Sequence, residues 1–129
     1  MMITTKGRNA LKIMIDLAQH AGDGFVSLND IAERQKESVK YLETSVAQLS
    51  AAGFVLSARG KSGGYRLARP AQDYSVAEIL TVGEGSLAPV SCLISGCENA
   101  GTCQTLPLFK ELDEVIMSFL NSKTLQDLI

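Results

Sequence analysis

Two capped helices a few residues apart, followed at once by a short hairpin with a basic, glycine-rich tip, predict a mainly α fold built on a winged helix-turn-helix. Two further features extend that fold: three cysteines fall close together, and a long amphipathic segment approaches the C-terminus. We therefore expect a winged helix-turn-helix over residues 1–84, a cysteine loop over 85–104 and a long helix with a closing segment over 105–129, in one compact unit. A chain of 129 residues, 46% hydrophobic and 20% charged, suits a single core of this kind.

Ala10, Leu11, Met14, Ile15, Ala18 and Ala21 recur at helical spacing and form the apolar stripe of a first helix ending near Gly22. Ser27, with Asp30 three residues on, reads as the cap of a short second helix carrying Ile31 and Ala32 before the polar Glu33-Arg34-Gln35-Lys36. Ser38 caps a third helix, in which Val39, Leu42, Val46 and Leu49 share a face until Gly53 stops it. Phe54-Val55-Leu56 and Tyr65-Arg66-Leu67 then flank Arg59-Gly60-Lys61-Ser62-Gly63-Gly64, whose glycines permit the positive backbone dihedrals of a hairpin turn.

Arg69-Pro70 ends this wing, and Ser75-Val76-Ala77-Glu78 is a capping box opening a helix through about Val82. Beyond the cysteines, Leu108, Leu112, Val115 and Phe119 fall at spacings of four, three and four. Such a seam suits a dimerisation helix packed against its twin; the competing reading is an ordinary core-facing helix. Thr124 caps a last turn ending at Ile129.

Cys92-x4-Cys97-x5-Cys103 holds every cysteine of the chain, on a stretch that includes Gly96 and Gly101. Three thiolates on one loop can converge on a soft metal, so an iron-sulfur cluster or zinc comes first, ahead of a thiol redox switch and of incidental cysteines. An odd number of thiols cannot be fully paired within the chain, and a short cysteine-dense secreted scaffold is a different pattern. The N-terminal Met1-Met2-Ile3-Thr4-Thr5-Lys6 lacks the apolar core of a signal peptide, and no apolar run approaches about 18 residues, so a cytoplasmic location without membrane partners is expected.

Net charge is −2 but unevenly placed: residues 1–70 hold ten Lys/Arg and six Asp/Glu, residues 71–129 two and eight, giving halves of +4 and −6. The basic half is the one with the helix-turn-helix, as phosphate contact requires. Capped by Ser38, the recognition helix carries Lys40, Tyr41, Glu43 and Thr44 in its first two turns, where side chains reach base edges and phosphates of double-stranded DNA. Lys40 suits a phosphate or guanine, and Tyr41 a phosphate oxygen. Glu43 is repelled by phosphates unless it accepts from cytosine N4, so it confers selectivity more than affinity. At the wing, Arg59 and Lys61 around Gly60 can neutralise phosphates, and Arg59 is long enough to enter a narrow minor groove. No Ser/His/Asp or Cys/His constellation, phosphate loop or HExxH motif points to an enzyme or to a small-molecule substrate.

Together Thr4-Thr5-Lys6-Gly7-Arg8-Asn9-Ala10-Leu11, Asp30-Ile31-Ala32-Glu33-Arg34-Gln35, Tyr41-Leu42-Glu43, Arg59-Gly60, Gly63-Gly64-Tyr65-Arg66-Leu67-Ala68 and Thr124-Leu125-Gln126-Asp127-Leu128 resemble the IscR and NsrR branch of winged-helix regulators, the Rrf-type family. The resemblance spans essentially the whole chain. It implies a homodimer that binds a partly palindromic operator, often as a repressor, and changes DNA affinity when an iron-sulfur cluster (2Fe-2S or 4Fe-4S) on Cys92, Cys97 and Cys103 is gained, lost or modified. It also implies that Glu43 helps tell one operator class from another. The fourth cluster ligand departs from the pattern: Leu106 stands where the cluster-assembly branch has a His, and Arg8 where the nitric-oxide-sensing branch has an Asp. Glu98, Asn99, Gln104, a partner-subunit carboxylate, water or a small thiol are left, unranked. His20 reads as a surface residue at a helix end rather than a remote ligand. One residue fewer separates the first two cysteines than in the cluster-assembly branch, which leaves nuclearity open.

Overall fold

In the computed structural model, which describes residues 3–96 and 98–129, helix α1 spans Thr5–Gln19, α2 Leu28–Gln35 and α3 Val39–Ala51. The strands β1 (Val55–Ala58) and β2 (Gly64–Leu67) follow, then α4 (Val76–Glu84), a single turn α5 (Cys92–Ser95) and the long α6 (Leu106–Ser122). Short 3-10 turns at Ala21–Asp23, Ala71–Asp73 and Leu125–Leu128 complete the chain. The mainly helical, winged helix-turn-helix expectation holds.

The caps expected for the middle helices are present. Ser27 accepts from the Asp30 N–H at 3.1 Å, Ser38 from the Tyr41 N–H at 3.2 Å, and Ser75 and Glu78 form a reciprocal capping box. Lys36 ends α2 in left-handed backbone at φ 55°, turning the chain sharply into α3. The first helix differs from its expected bounds: it starts at Thr5, well before the apolar stripe, and gives way to the 3-10 turn after Gln19. Thr4 caps this start locally, its hydroxyl accepting from the Lys6 N–H at 3.2 Å, and a carboxylate from α4 adds to the cap.

Leu17, Ile13, Met14 and Ala10 of α1 meet Ile31 of α2, Leu42, Val46 and Leu49 of α3, and Val55, Tyr74, Ile79 and Leu125 in one buried core. A second cluster, Val76, Leu80 and Leu87, takes Ile3 and Leu11 on one side and Met117 and Leu120 of α6 on another. The opposite stripe of α6 is uncovered: Leu108, Leu112, Val115 and Phe119 are 61, 42, 65 and 59% exposed. Within this chain those four residues do not face the core, so the core-facing reading of the seam does not hold. Among the described residues, no helix is long and apolar enough to cross a membrane.

The wing is an antiparallel pair with Val55 opposite Leu67 and Ala58 opposite Gly64. Val26 adds a third layer at its base, exchanging backbone hydrogen bonds of 2.8 Å with Tyr65. A side chain on Gly64, at φ 147°, would collide with the Val26 carbonyl, so glycine is required there. Fully buried Tyr74 locks the wing to the core, its hydroxyl donating to the Phe54 carbonyl at 2.7 Å and accepting from the Arg69 N–H at 3.0 Å. The Arg69 guanidinium stacks 4.3 Å from the same ring.

Candidate nucleic-acid interface and cysteine loop

Helix α3 presents its polar face because its apolar one, Leu42, Val46 and Leu49, is consumed by the core. Lys40, Tyr41, Glu43 and Thr44 are left exposed, Tyr41 by 67%. An exposed aromatic ring of that size on a helix with a filled core face is available for contact. These four residues line one groove of about 700 Å³, whose other wall is Thr5, Lys6 and Asn9 at the start of α1. Ser38 stands behind them as the cap. Arg59, Gly60 and Lys61 are exposed at the tip of the wing, apart from the groove.

Charge around the groove is sorted by pairing. Glu37, on its lining, is held by Lys12 at 2.6 Å, whereas Lys40 enters no ion pair among the described residues. Lys40 is thereby free to meet an anion.

The angle of α2, and through it of α3, is fixed by a buried acid. Asp16, 0% exposed on α1, takes a bidentate pair from Arg34 at 2.9 and 2.7 Å and a third bond from Gln35 at 3.2 Å. Hydrogen bonding to Asp16 raises the Arg34 pKa above its ordinary value, against the cost of burial. His20 caps α1 with Nδ1 2.8 Å from the Asp16 carbonyl oxygen, the helix-end role expected of it. Sequence reasoning named neither the Asp16–Arg34 pair nor Thr5, Lys6 and Asn9 as groove residues. A signal for the first was available, since Asp16 falls three residues after Ile13 on the apolar face of an amphipathic helix.

Among the described cysteines, Cys92 opens α5 and Cys103 precedes α6, and both are partly exposed free thiols. Cys97 lies outside the described residues. The Asn99 carbonyl accepts from the N–H groups of Thr102 at 3.0 Å and Cys103 at 2.7 Å, a turn that sets Cys103 at the start of the long helix. Its Sγ lies 3.2 Å from the Thr105 hydroxyl. That hydroxyl, then the N–H groups of Thr105 and Leu106, hold the Cys103 thiol below its ordinary pKa. A thiolate favoured in this way fits ligation of a soft metal ion and equally fits nucleophilic chemistry. Leu106 is buried and Arg8 exposed on α1, while Glu98, Asn99 and Gln104 are exposed around the loop.

The loop begins directly after Glu84, the last residue of α4, whose carboxylate reaches the start of α1. It accepts from the Thr4 N–H at 2.9 Å, the Thr4 hydroxyl at 2.8 Å and the Gly7 N–H at 3.0 Å. Burial pushes the Glu84 pKa up, but these bonds and the charge of Lys6 outweigh it, and the net shift is downward. A carboxylate at a helix N-terminus also complements the helix dipole. Gly7 and Gly83 make this approach feasible, because a Cβ on Gly7 would lie 2.7 Å from the Glu84 carboxylate and one on Gly83 2.8 Å from the Gly7 backbone.

With this geometry in view, comparison with known proteins is specific. A family profile described as Rrf2, iron-dependent transcriptional regulator, matches residues 3–129. The chain is 41% identical to the HTH-type transcriptional regulator IscR of Yersinia pestis, over all of this chain and 79% of that protein. Among solved structures, IscR of T. potens is similar at 41% identity and a TM-score of 0.80, over 99% of this chain and 85% of that one. CymR, the global cysteine regulator of B. subtilis, is similar at 37% identity and a TM-score of 0.81, over 99% and 95% of the two chains.

Proposed function

Because the chain belongs to the Rrf2 family of transcriptional regulators, we propose that it is a cytoplasmic homodimer that binds a partly palindromic DNA operator and senses iron-sulfur, redox or nitric oxide status through its cysteine loop. Lys40, Tyr41, Glu43 and Thr44 enter the major groove. Lys40 and Tyr41 anchor on phosphate or base, and Glu43 selects by accepting from a cytosine amino group. Arg59 and Lys61 bring the wing onto the backbone or minor groove, and Gly60 keeps the tip thin enough to approach it. The two recognition helices of a dimer joined through α6 read the two half-sites.

Cys92, Cys97 and Cys103 would hold an iron-sulfur cluster, which when bound supplies a redox-active centre whose gain or loss changes the charge and shape of the loop. The observation that carries this reading is the placing of Cys92 and Cys103 as partly exposed free thiols at the two sides of one loop, in a chain that matches a family described as iron-dependent regulators over residues 3–129. Three thiolates leave one ligand position to a weak oxygen donor, a partner residue or a small molecule, which favours a labile sensing cluster over a structural one.

The Cys103 thiolate supports a second reading, a cluster-free regulator switched by thiol chemistry, and the likeness to a cysteine regulator makes it the main competitor. Iron and acid-labile sulfide measured on anaerobically purified wild type and Cys103→Ala separate the two. Matching iron and sulfide in the wild type, lost in the variant, support the cluster; iron-free protein after reconstitution leaves the thiol switch.

A further inference from the structure

We propose that Glu84 is a positioning residue that carries the state of the cysteine loop to the DNA-facing groove, by holding the first turn of α1 against the end of α4. The inference rests on reading the groove as the DNA surface and the loop as the sensor. Three observations join those two places through Glu84. On the loop side, Gly85 follows it immediately at φ 84° and closes α4 by donating to the Thr81 carbonyl at 2.8 Å, so the loop starts from a fixed point beside the carboxylate.

On the α1 side, the carboxylate fixes Thr4 and Gly7, which bracket Thr5 and Lys6, two residues of the groove wall opposite Lys40 and Thr44. Between them there is little slack, because a Cβ on Gly83 would lie 2.8 Å from the Gly7 backbone and one on Gly7 would meet the Glu84 carboxylate itself. An apolar link runs in parallel: Leu87, the third residue of the loop and 5% exposed, belongs to the small cluster against which Ile3 packs. Displacement of the loop's first residues therefore cannot be absorbed by loose side chains. It moves the end of α4, and with it the turn of α1 that carries Thr5 and Lys6. Close-packed contacts of this kind pass on a shift rather than damping it.

Glu84→Gln keeps the shape and one acceptor oxygen while removing the charge and the hydrogen bonds accepted by the second oxygen. The test uses full-length protein, either reconstituted anaerobically with ferrous iron and sulfide or stripped by chelator, and a duplex selected by the wild type from a random-sequence pool. Iron content, affinity in each state and amide hydrogen exchange at Thr4 to Arg8 are read together. If Glu84 carries the signal, the wild-type ratio of affinities, on the order of 5–150-fold for coupled sites, falls to within about twofold of unity in Glu84→Gln. The variant still binds iron and still binds DNA, and exchange at Gly7 no longer differs between the states. A ratio and an exchange difference that persist in the variant overturn the role of Glu84 and leave the sensing function intact. A wild type with equal affinity in both states removes the sensing function, and this inference with it. Should Glu84→Gln fail to fold, Glu84→Asp keeps the charge but shortens the reach of the carboxylate and leaves the Thr4 hydroxyl on the Lys6 N–H in place; a reduced ratio supports the link and an unchanged one overturns it.

Discussion

Cys103 and Asp16 show how single side chains are prepared by their neighbours. The Thr105 hydroxyl is the largest influence lowering the Cys103 thiol. Thr105→Val removes it at nearly constant volume, so less thiolate exists at neutral pH and the alkylation curve moves to higher pH. In metal-free protein, iodoacetamide therefore reacts more slowly with Cys103 of the variant, by peptide mass spectrometry against time; equal rates contradict the assignment. The buried pair obeys a different asymmetry. Removing Arg34 leaves the Asp16 carboxylate inside the core with Gln35 and His20 as its remaining polar neighbours among the described residues, whereas removing the acid leaves a guanidinium at the surface. Arg34→Met is therefore expected to cost about 3 kcal/mol in urea unfolding, and Asp16→Asn less, since stranding a buried charge is the expensive case.

At the scale of elements, the wing works as a rigid arm because Gly64, Val26 and Tyr74 fix its base while its tip stays polar. Arg59→Ala at that tip weakens DNA binding and lowers the slope of log affinity against log salt by about one, with stability unchanged. Unchanged affinity and slope, measured by fluorescence anisotropy across a salt series, would remove the wing from the interface. Elements whose ends are set by near neighbours were legible in the sequence: Ser27, Ser38 and Ser75 each cap within three residues, and the wing glycines mark their own turn. The start of α1 was missed although Thr4 caps it locally through the Lys6 N–H, and the second part of the cap, Glu84, lies 80 residues from Thr4. The single turn α5 inside the cysteine loop carries no apolar periodicity to betray it. The exposed face of α3 could be named from Ser38 onward because cap and period fix the register. Thr5, Lys6 and Asn9 join them only through the α1–α3 packing, which no local pattern records.

Over the whole molecule, charge and apolar surface are divided between two ends. The basic half carries the groove and wing, and the acidic half carries the loop and an α6 whose Leu108, Leu112, Val115 and Phe119 are uncovered. In the proposed homodimer this stripe would be the contact. Val115→Glu then yields monomer by sedimentation while changing the stability of the subunit by no more than about 0.5 kcal/mol, as expected of a surface site; a dimer that survives the substitution places the contact elsewhere. The proposed dimer would also couple the two loops to two half-sites. The most direct measurement takes one anaerobic sample, determines its iron and acid-labile sulfide, and follows its affinity for a selected duplex before and after the cluster is removed. Cluster-gated regulation gives iron and sulfide in matching amounts and an affinity that changes by about fivefold or more on removal. Iron-free protein that binds the same duplex with the same affinity after careful reconstitution would contradict it.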